Sequence, residues 1–244
     1  MADEWQLRQE ICQIGRRLYA RGFVAANDGN ISARLDDRRV LCTPTLVSKG
    51  FMRPEDICTV QMNGRQLAGP RQHTSELPLH LAIYRARAEV GAVVHAHPPH
   101  ATAFAVAGIE IPTGILPEVE ILLGPVPTAA YETPGTEAFA QTVLPYIQQA
   151  NAIVLKNHGT VSLGADLQQA WFRTEIIDAY CRVLILARQL GNVDRLSRAK
   201  LLELLQLKQD SGLGTDPRLA GAAELYINPR FGQGCGSPDV AGQG

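Results

Sequence analysis

The run Val93-Val94-His95-Ala96-His97 constrains the fold of this chain more than any other segment. Gly91 to His97 reads as an apolar β-run, and alternate side chains of a strand point to the same face, so His95 and His97 project together. Two imidazoles on one face of an apolar strand are costly to bury unless they share a partner. A divalent metal is one such partner, because neutral imidazole is a good ligand for zinc and its neighbours. A solvated or hydrogen-bonded pair is the other reading open at this point.

A third histidine narrows the choice. Ala152 to Lys156 is a second β-run, ended by His158-Gly159 and followed by Thr160 to Leu163. Side chains converge into sites at strand ends, and glycine lets another group approach the backbone closely. Three histidines with one open position are the donor set of a catalytic metal rather than a structural one. His73, His80 and His100 have no such setting and read as structural histidines.

Around these runs the chain alternates irregularly between helices and hairpins. An amphipathic helix starts the chain, with Trp5, Ile11, Ile14 and Leu18 near helical spacing and Gly22 as its stop. Ile31 to Leu35 and Arg39 to Thr43 form one expected hairpin, turned at Asp36-Asp37. Cys58 to Met62 and Arg65 to Leu67 form another around Asn63-Gly64, a pair that tolerates positive φ. Ser75 to about Ala88 is helical, with Pro78 in its first turn, and Thr133-Pro134 reads as a helix start. Asp166 caps the longest helix, which runs to about Leu190 before Gly191; a last helix covers roughly Leu196 to Leu207. These elements predict an α/β layered domain with a mainly antiparallel sheet, spanning residues 1–229. The Gly-rich tail, 230–244, is expected to be disordered.

Charge and composition exclude several partners. The chain has 244 residues, with 23 Lys plus Arg against 24 Asp plus Glu, a balance that argues against nucleic-acid and membrane-surface binding. A small substrate fits better. The five cysteines are scattered with no CxxC pair, so neither a zinc ribbon nor a disulfide framework is indicated. No signal peptide and no run of roughly 18 apolar residues is seen, and the cytoplasm is the default location.

Three polar segments remain. Gln72-His73-Thr74-Ser75-Glu76 precedes a helix, so its hydroxyls can cap the first turn and its free N–H groups can hold an anion such as phosphate. Asn27-Asp28-Gly29-Asn30 and Thr43-Pro44-Thr45 are either plain turns or loops donating to a phosphate.

In combination these segments resemble the class II aldolase/adducin family, which includes fuculose-1-phosphate aldolase and ribulose-5-phosphate 4-epimerase. The matching elements run in the family's order. They are Gly-Asn-x-Ser (Gly29, Asn30, Ser32), Thr-Pro-Thr (Thr43 to Thr45), Thr-Ser-Glu (Thr74 to Glu76), His-x-His (His95, His97) and Asn-His-Gly (Asn157 to Gly159). Each is weak alone; the five in order, over about residues 5 to 205, are specific.

The resemblance implies a three-layer α/β/α domain with a nine-stranded, mainly antiparallel central sheet. It also implies a fourfold-symmetric homotetramer with sites at subunit interfaces. His95, His97 and His158 would bind Zn2+, or another divalent ion such as Mn2+ or Co2+, one per subunit. Glu76 would be the acid/base, and Gly29, Asn30, Thr45, Thr74 and Ser75 would hold a substrate phosphate. The expected activity is that of a metal-dependent lyase, cleaving a ketose phosphate by retro-aldol chemistry to dihydroxyacetone phosphate and an aldehyde. A dehydratase, decarboxylase or epimerase on the same scaffold is the alternative, and a non-catalytic adducin-like interaction domain the less favoured one.

Two departures from the family pattern stand out. Thr45 is followed by Leu46 where the typical aldolase has glycine. The aldolase also places a Tyr about twenty residues after His-x-His, whereas Ile111 to Glu120 contains none; related dehydratases use a Glu nearby, which makes Glu118 the candidate second catalytic group and a surface carboxylate the plainer alternative.

Overall fold

Eight strands pair into one sheet in the computed structural model, which describes residues 3–221. They are β1 (Asn30–Arg34), β2 (Arg39–Cys42), β3 (Cys58–Gln61), β4 (Gln66–Ala68), β5 (Ala92–Ala96), β6 (Thr128–Ala129), β7 (Ala152–Leu155) and β8 (Gly159–Gly164). Their spatial order is β4-β3-β2-β1-β5-β8-β7-β6. Every neighbouring pair is antiparallel except β6 with β7. The described residues thus hold eight strands where the family resemblance implies nine.

The helices are α1 (Glu4–Ala20), α2 (Leu77–Ala86), α3 (Pro99–Ala107), α4 (Pro117–Leu122), α5 (Glu137–Gln141), α6 (Leu167–Leu190) and α7 (Arg198–Asp210). They cover both sheet faces. On one, Val40, Val60, Val93, Ile153 and Val161 pack with Leu77, Leu81 and Tyr84 of α2 and Phe139 of α5. On the other, Ile31, Leu41 and Val94 meet Ile11 and Leu18 of α1 and Trp171 of α6. Ala152 and Val154 meet Phe104 of α3, Val119 of α4 and Tyr180 of α6. The period-2 alternation of β5 and β7 is what divides these side chains, and three layers, α/β/α, result.

Several local expectations shift. The first helical residue of α2 is Leu77, not Ser75. Thr133-Pro134 does not start α5: Gly135 adopts φ 81°, which no right-handed helix can contain, and Thr136 caps α5 by accepting from the Phe139 N–H at 3.1 Å. Trp5 lies off the buried stripe of α1 and is 45% exposed. Asp166 does cap α6, accepting from the Gln169 N–H at 2.7 Å, and Gly191 ends it. Helices α3 and α4 were not anticipated. The tail expected at 230–244 lies outside the described residues. No helix among the described residues is long and apolar enough to cross a membrane.

Candidate metal centre and active site

Sheet register brings the chemistry to one end of three central strands. His95 of β5 pairs with Asn30 at the start of β1, and Ala96 pairs with Thr160 at the start of β8. The β7–β8 turn, which carries His158, therefore lies beside the end of β5, where His97 follows. Helix α2 covers the same face and presents Glu76 at its N-cap position.

The three histidines offer ring nitrogens that all lie within 4.8 Å of one another. The tautomers of His95 and His97 follow from their outer partners. His95 Nδ1 is 2.9 Å from the Thr160 carbonyl oxygen, which can only accept, so Nδ1 carries the proton. His97 Nδ1 donates to Asp28 Oδ2 at 2.9 Å. Both Nε2 atoms are thereby left as lone pairs, and they face each other at 3.2 Å. Glu76 adds a carboxylate, with Oε2 3.1 Å from His95 Nε2 and Oε1 3.5 Å from His158 Nε2. Electron-pair donors at these distances repel unless a cation sits among them. Imidazoles held from behind by a carbonyl and a carboxylate are also the usual outer arrangement of a metal site. The donor set fits a divalent ion.

Ring charges agree with this. Burial, followed by the His95 ring, pushes His158 down to about 4 and lowers His97, while Asp28 works the other way on His97. Neutral rings are the form that ligates. Burial disfavours the charged form of Glu76, but positive charge at the His95 and His158 positions, with the Asn30 amide hydrogen bond, holds its carboxyl below the usual carboxylate range.

Glu76 is fixed by a chain of hydrogen bonds that the sequence did not disclose. Asn30 Nδ2 donates to Glu76 Oε2 at 2.9 Å. Asn30 Oδ1 accepts from His80 Nε2, while His80 Nδ1 lies 2.6 Å from Ser32 Oγ and Ser32 Oγ lies 2.8 Å from the Tyr84 hydroxyl. His80 is fully buried; burial, and then the His95 ring, depress it to about 3, so it is neutral and one nitrogen must accept. The available signal was spacing: His80 follows Glu76 by four residues and shares its helix face.

The expected phosphate segments also meet. The Thr74 N–H donates to the Thr43 carbonyl at 3.0 Å and the Thr45 N–H to the Gln72 carbonyl at 2.9 Å, joining two of them. Asn30 belongs to the third. Ser75 is exposed, Thr45 half-buried and Thr74 buried, with Thr74 Oγ1 accepting from the Glu76 N–H at 3.3 Å. Gly29 takes φ 67°, and a Cβ there would lie 2.6 Å from Val24 Cγ1 and 3.0 Å from the His95 carbonyl oxygen. Leu46 adopts φ 58° with its side chain 76% exposed. The backbone takes the left-handed form that glycine favours, at a strain of about 1–2 kcal/mol, and the isobutyl group turns away into solvent. Glu118 is exposed on α4, and among the described residues no hydrogen bond or ion pair joins it to the three histidines or Glu76.

With this geometry in hand, comparison with known proteins is decisive. The family described as Class II Aldolase and Adducin N-terminal domain matches residues 9–185. The chain belongs to the class II aldolase and adducin family. It is 37% identical over 169 residues to an L-fuculose phosphate aldolase of Methanococcus maripaludis, covering 69% of this chain and 91% of that protein. It is 36% identical over 182 residues to a 3-oxo-tetronate 4-phosphate decarboxylase of Cupriavidus necator, covering 73% and 83%. The solved YgbL protein of Klebsiella pneumoniae superposes with a TM-score of 0.77 at 30% identity, covering 84% of this chain and all of that one.

Local packing makes the site sensitive at two positions, Gly159 and His80. A Cβ on Gly159 would lie 2.5 Å from His97 Cδ2 and 2.6 Å from the Ala96 carbonyl oxygen. Gly159→Ala should therefore displace the His97 ring and weaken divalent-metal binding by at least about tenfold, read by competition against a chelating dye. The second concerns acid stability. His80 takes up a proton near 6.5 when unfolded and only near 3 when folded. Between those values the unfolded chain binds more protons, so stability rises with pH there and is lost as pH falls below about 6.5. Melting of wild type against His80→Gln from pH 7.5 to 4.5 should show a shallower acid slope in the variant.

Proposed function

We propose that this chain is a divalent-metal lyase that cleaves a ketose phosphate by retro-aldol chemistry, giving dihydroxyacetone phosphate and an aldehyde. The observation that carries the reading is the Glu76 carboxylate, shared between His95 and His158 and held by Asn30 beside the expected phosphate segments. His95, His97 and His158 would hold the ion, with zinc the first candidate and manganese or cobalt the others. A bound divalent ion supplies Lewis-acid polarisation of a substrate oxygen. Gly29, Asn30, Thr45, Thr74 and Ser75 would hold the phosphate through backbone and side-chain donors. The Asn30 amide has one hydrogen beyond the one given to Glu76. In the condensation direction the Glu76 carboxylate takes a proton from the carbon beside the ketone. That carbon forms the bond to the aldehyde, and an acid protonates the oxygen that becomes the new hydroxyl. Cleavage is the reverse, with Glu76 entering protonated and returning its proton to the same carbon.

Glu118 is the candidate for that hydroxyl. An exposed carboxylate on α4 suits a group that completes a neighbouring subunit's site in a fourfold homotetramer. The chain is expected to act in the cytoplasm, on a small phosphorylated sugar.

A decarboxylase is the second reading. The Cupriavidus necator relative carries that name, and the segment Ile111 to Glu120 has Glu118 but no Tyr. Loss of carbon dioxide from a 3-oxo acid needs no group to take a proton from a substrate hydroxyl, so Glu118 is dispensable there. A non-catalytic adducin-like role is disfavoured, because adducin-like head domains lack the metal histidines and this chain has all three with Glu76.

The test is product analysis with dihydroxyacetone phosphate and a panel of small aldehydes, run beside a 3-oxo sugar-acid phosphate. New carbon–carbon bonds support the lyase, and carbon dioxide release alone replaces it with the decarboxylase. On the true substrate Glu76→Gln should lower kcat by roughly 10²–10⁴-fold with metal retained, and near-normal turnover would overturn the role. Ser75→Ala should raise KM for the phosphorylated substrate and leave metal content unchanged.

A further inference from the structure

Lys49 is a buried charge that the chemistry above does not use. It opens a short 3₁₀ turn, Lys49–Phe51, and is 1% exposed. Its backbone is held against α1, where Gly15 leaves room: a Cβ on Gly15 would lie 2.4 Å from the Lys49 carbonyl oxygen. From there the side chain reaches between two loops. Nζ donates to the Asn27 carbonyl at 2.8 Å and to the Val47 carbonyl at 2.7 Å. Asn27 begins the Asn27-Asp28-Gly29-Asn30 segment, and Val47 closes the segment that carries Thr45 and Leu46.

Two neutral carbonyls are poor compensation for a buried ammonium, which costs more to desolvate than an amide or hydroxyl in the same place. The ammonium has three N–H groups, and two acceptors are found among the described residues. Burial accordingly drives Lys49 down to about 8, with Asp28 and then Glu76 pulling the other way. A neutral side chain would tie the loops together at lower cost. Every candidate phosphate ligand, Gly29, Asn30, Thr45, Thr74 and Ser75, is itself neutral. A phosphate held by them would bring up to two negative charges close to Asp28 and Glu76, the sequence neighbours of Gly29 and Ser75.

Resting on the phosphate reading above, we propose that Lys49 is a positioning and specificity residue: its ammonium ties the Asn27 and Val47 loops into one cradle and supplies the positive charge that makes the cradle select phosphorylated substrates. It acts through the loops and through its field, without touching the reacting carbon atoms.

The experiment separates charge from scaffolding. Lys49→Gln keeps two N–H donors without the charge, Lys49→Met keeps neither, and Lys49→Arg keeps both. Dihydroxyacetone phosphate and unphosphorylated dihydroxyacetone are titrated into each purified protein by calorimetry, with bound metal quantified in parallel. The expected result is at least a tenfold rise in Kd for dihydroxyacetone phosphate in both the Gln and Met variants, with metal content unchanged. Lys49→Arg should recover much of the affinity. Wild-type-like affinity in Lys49→Gln overturns the inference, because the lysine would then serve as a hydrogen-bonding strut alone. Loss of the folded state in both neutral variants, with Lys49→Arg folded, overturns it too, since the fold and not the ligand would need the charge. A wild type that binds both compounds equally removes the phosphate reading, a distinct result that takes this inference with it.

Discussion

Everything at the histidine-bearing end of the sheet follows from electron-pair donors converging where water is scarce. Two imidazole lone pairs face each other at 3.2 Å, and a carboxylate lies at 3.1 Å from one of them. In a low-dielectric setting such an arrangement is unfavourable unless positive charge is shared among the donors. The fold accepts that cost because the donors are carried by stiff elements: one by β5, one just beyond its end, one by the β7–β8 turn and one by the start of α2. Strand pairing and core packing thus provide the energy that holds the site open for an ion.

Behind the donors sits a layer whose only evident job is orientation. The Thr160 carbonyl and Asp28 fix the His95 and His97 tautomers. Tyr84, Ser32, His80 and Asn30 form an unbroken chain to Glu76, with its middle members buried. The chain removes the rotational freedom of the Glu76 carboxylate, as the proposed role in proton transfer requires. Lys49 extends the same logic to the loops, joining Asn27, next to the Asp28 that orients His97, to the turn after Thr45. The three histidines, Glu76 and the loops of the expected phosphate segments are therefore parts of one connected structure.

What could be read in the sequence was whatever has a period or a punctuation mark. The alternation of Val93, His95 and His97 gave the shared face of the two imidazoles, Asn63-Gly64 gave a hairpin and Asp166 gave the cap of α6. The run Pro99 to Ala107 hid α3, because Ala and Val all round a helix leave no stripe to detect. Thr133-Pro134 misled because Pro is as common in a turn as at a helix start, and the left-handed Gly135 decided between them. His80 was legible in principle, four residues after Glu76, but its importance lies in partners on β1 that only the tertiary structure supplies. Lys49 was illegible, since its contacts are to main-chain carbonyls whose positions no residue type announces. Leu46, which stands where the typical aldolase has glycine, adopts the glycine-like backbone with its side chain in solvent.

The most direct test of the account is the metal content of the purified protein, with the ligand environment read by X-ray absorption. About one divalent ion per chain in a first shell of three imidazole nitrogens plus oxygen, lost in the His95→Ala, His97→Ala double variant, is the predicted result. Absence of metal from the wild type after growth and purification in metal-supplemented, chelator-free medium, or full retention of it by the double variant, would contradict the account.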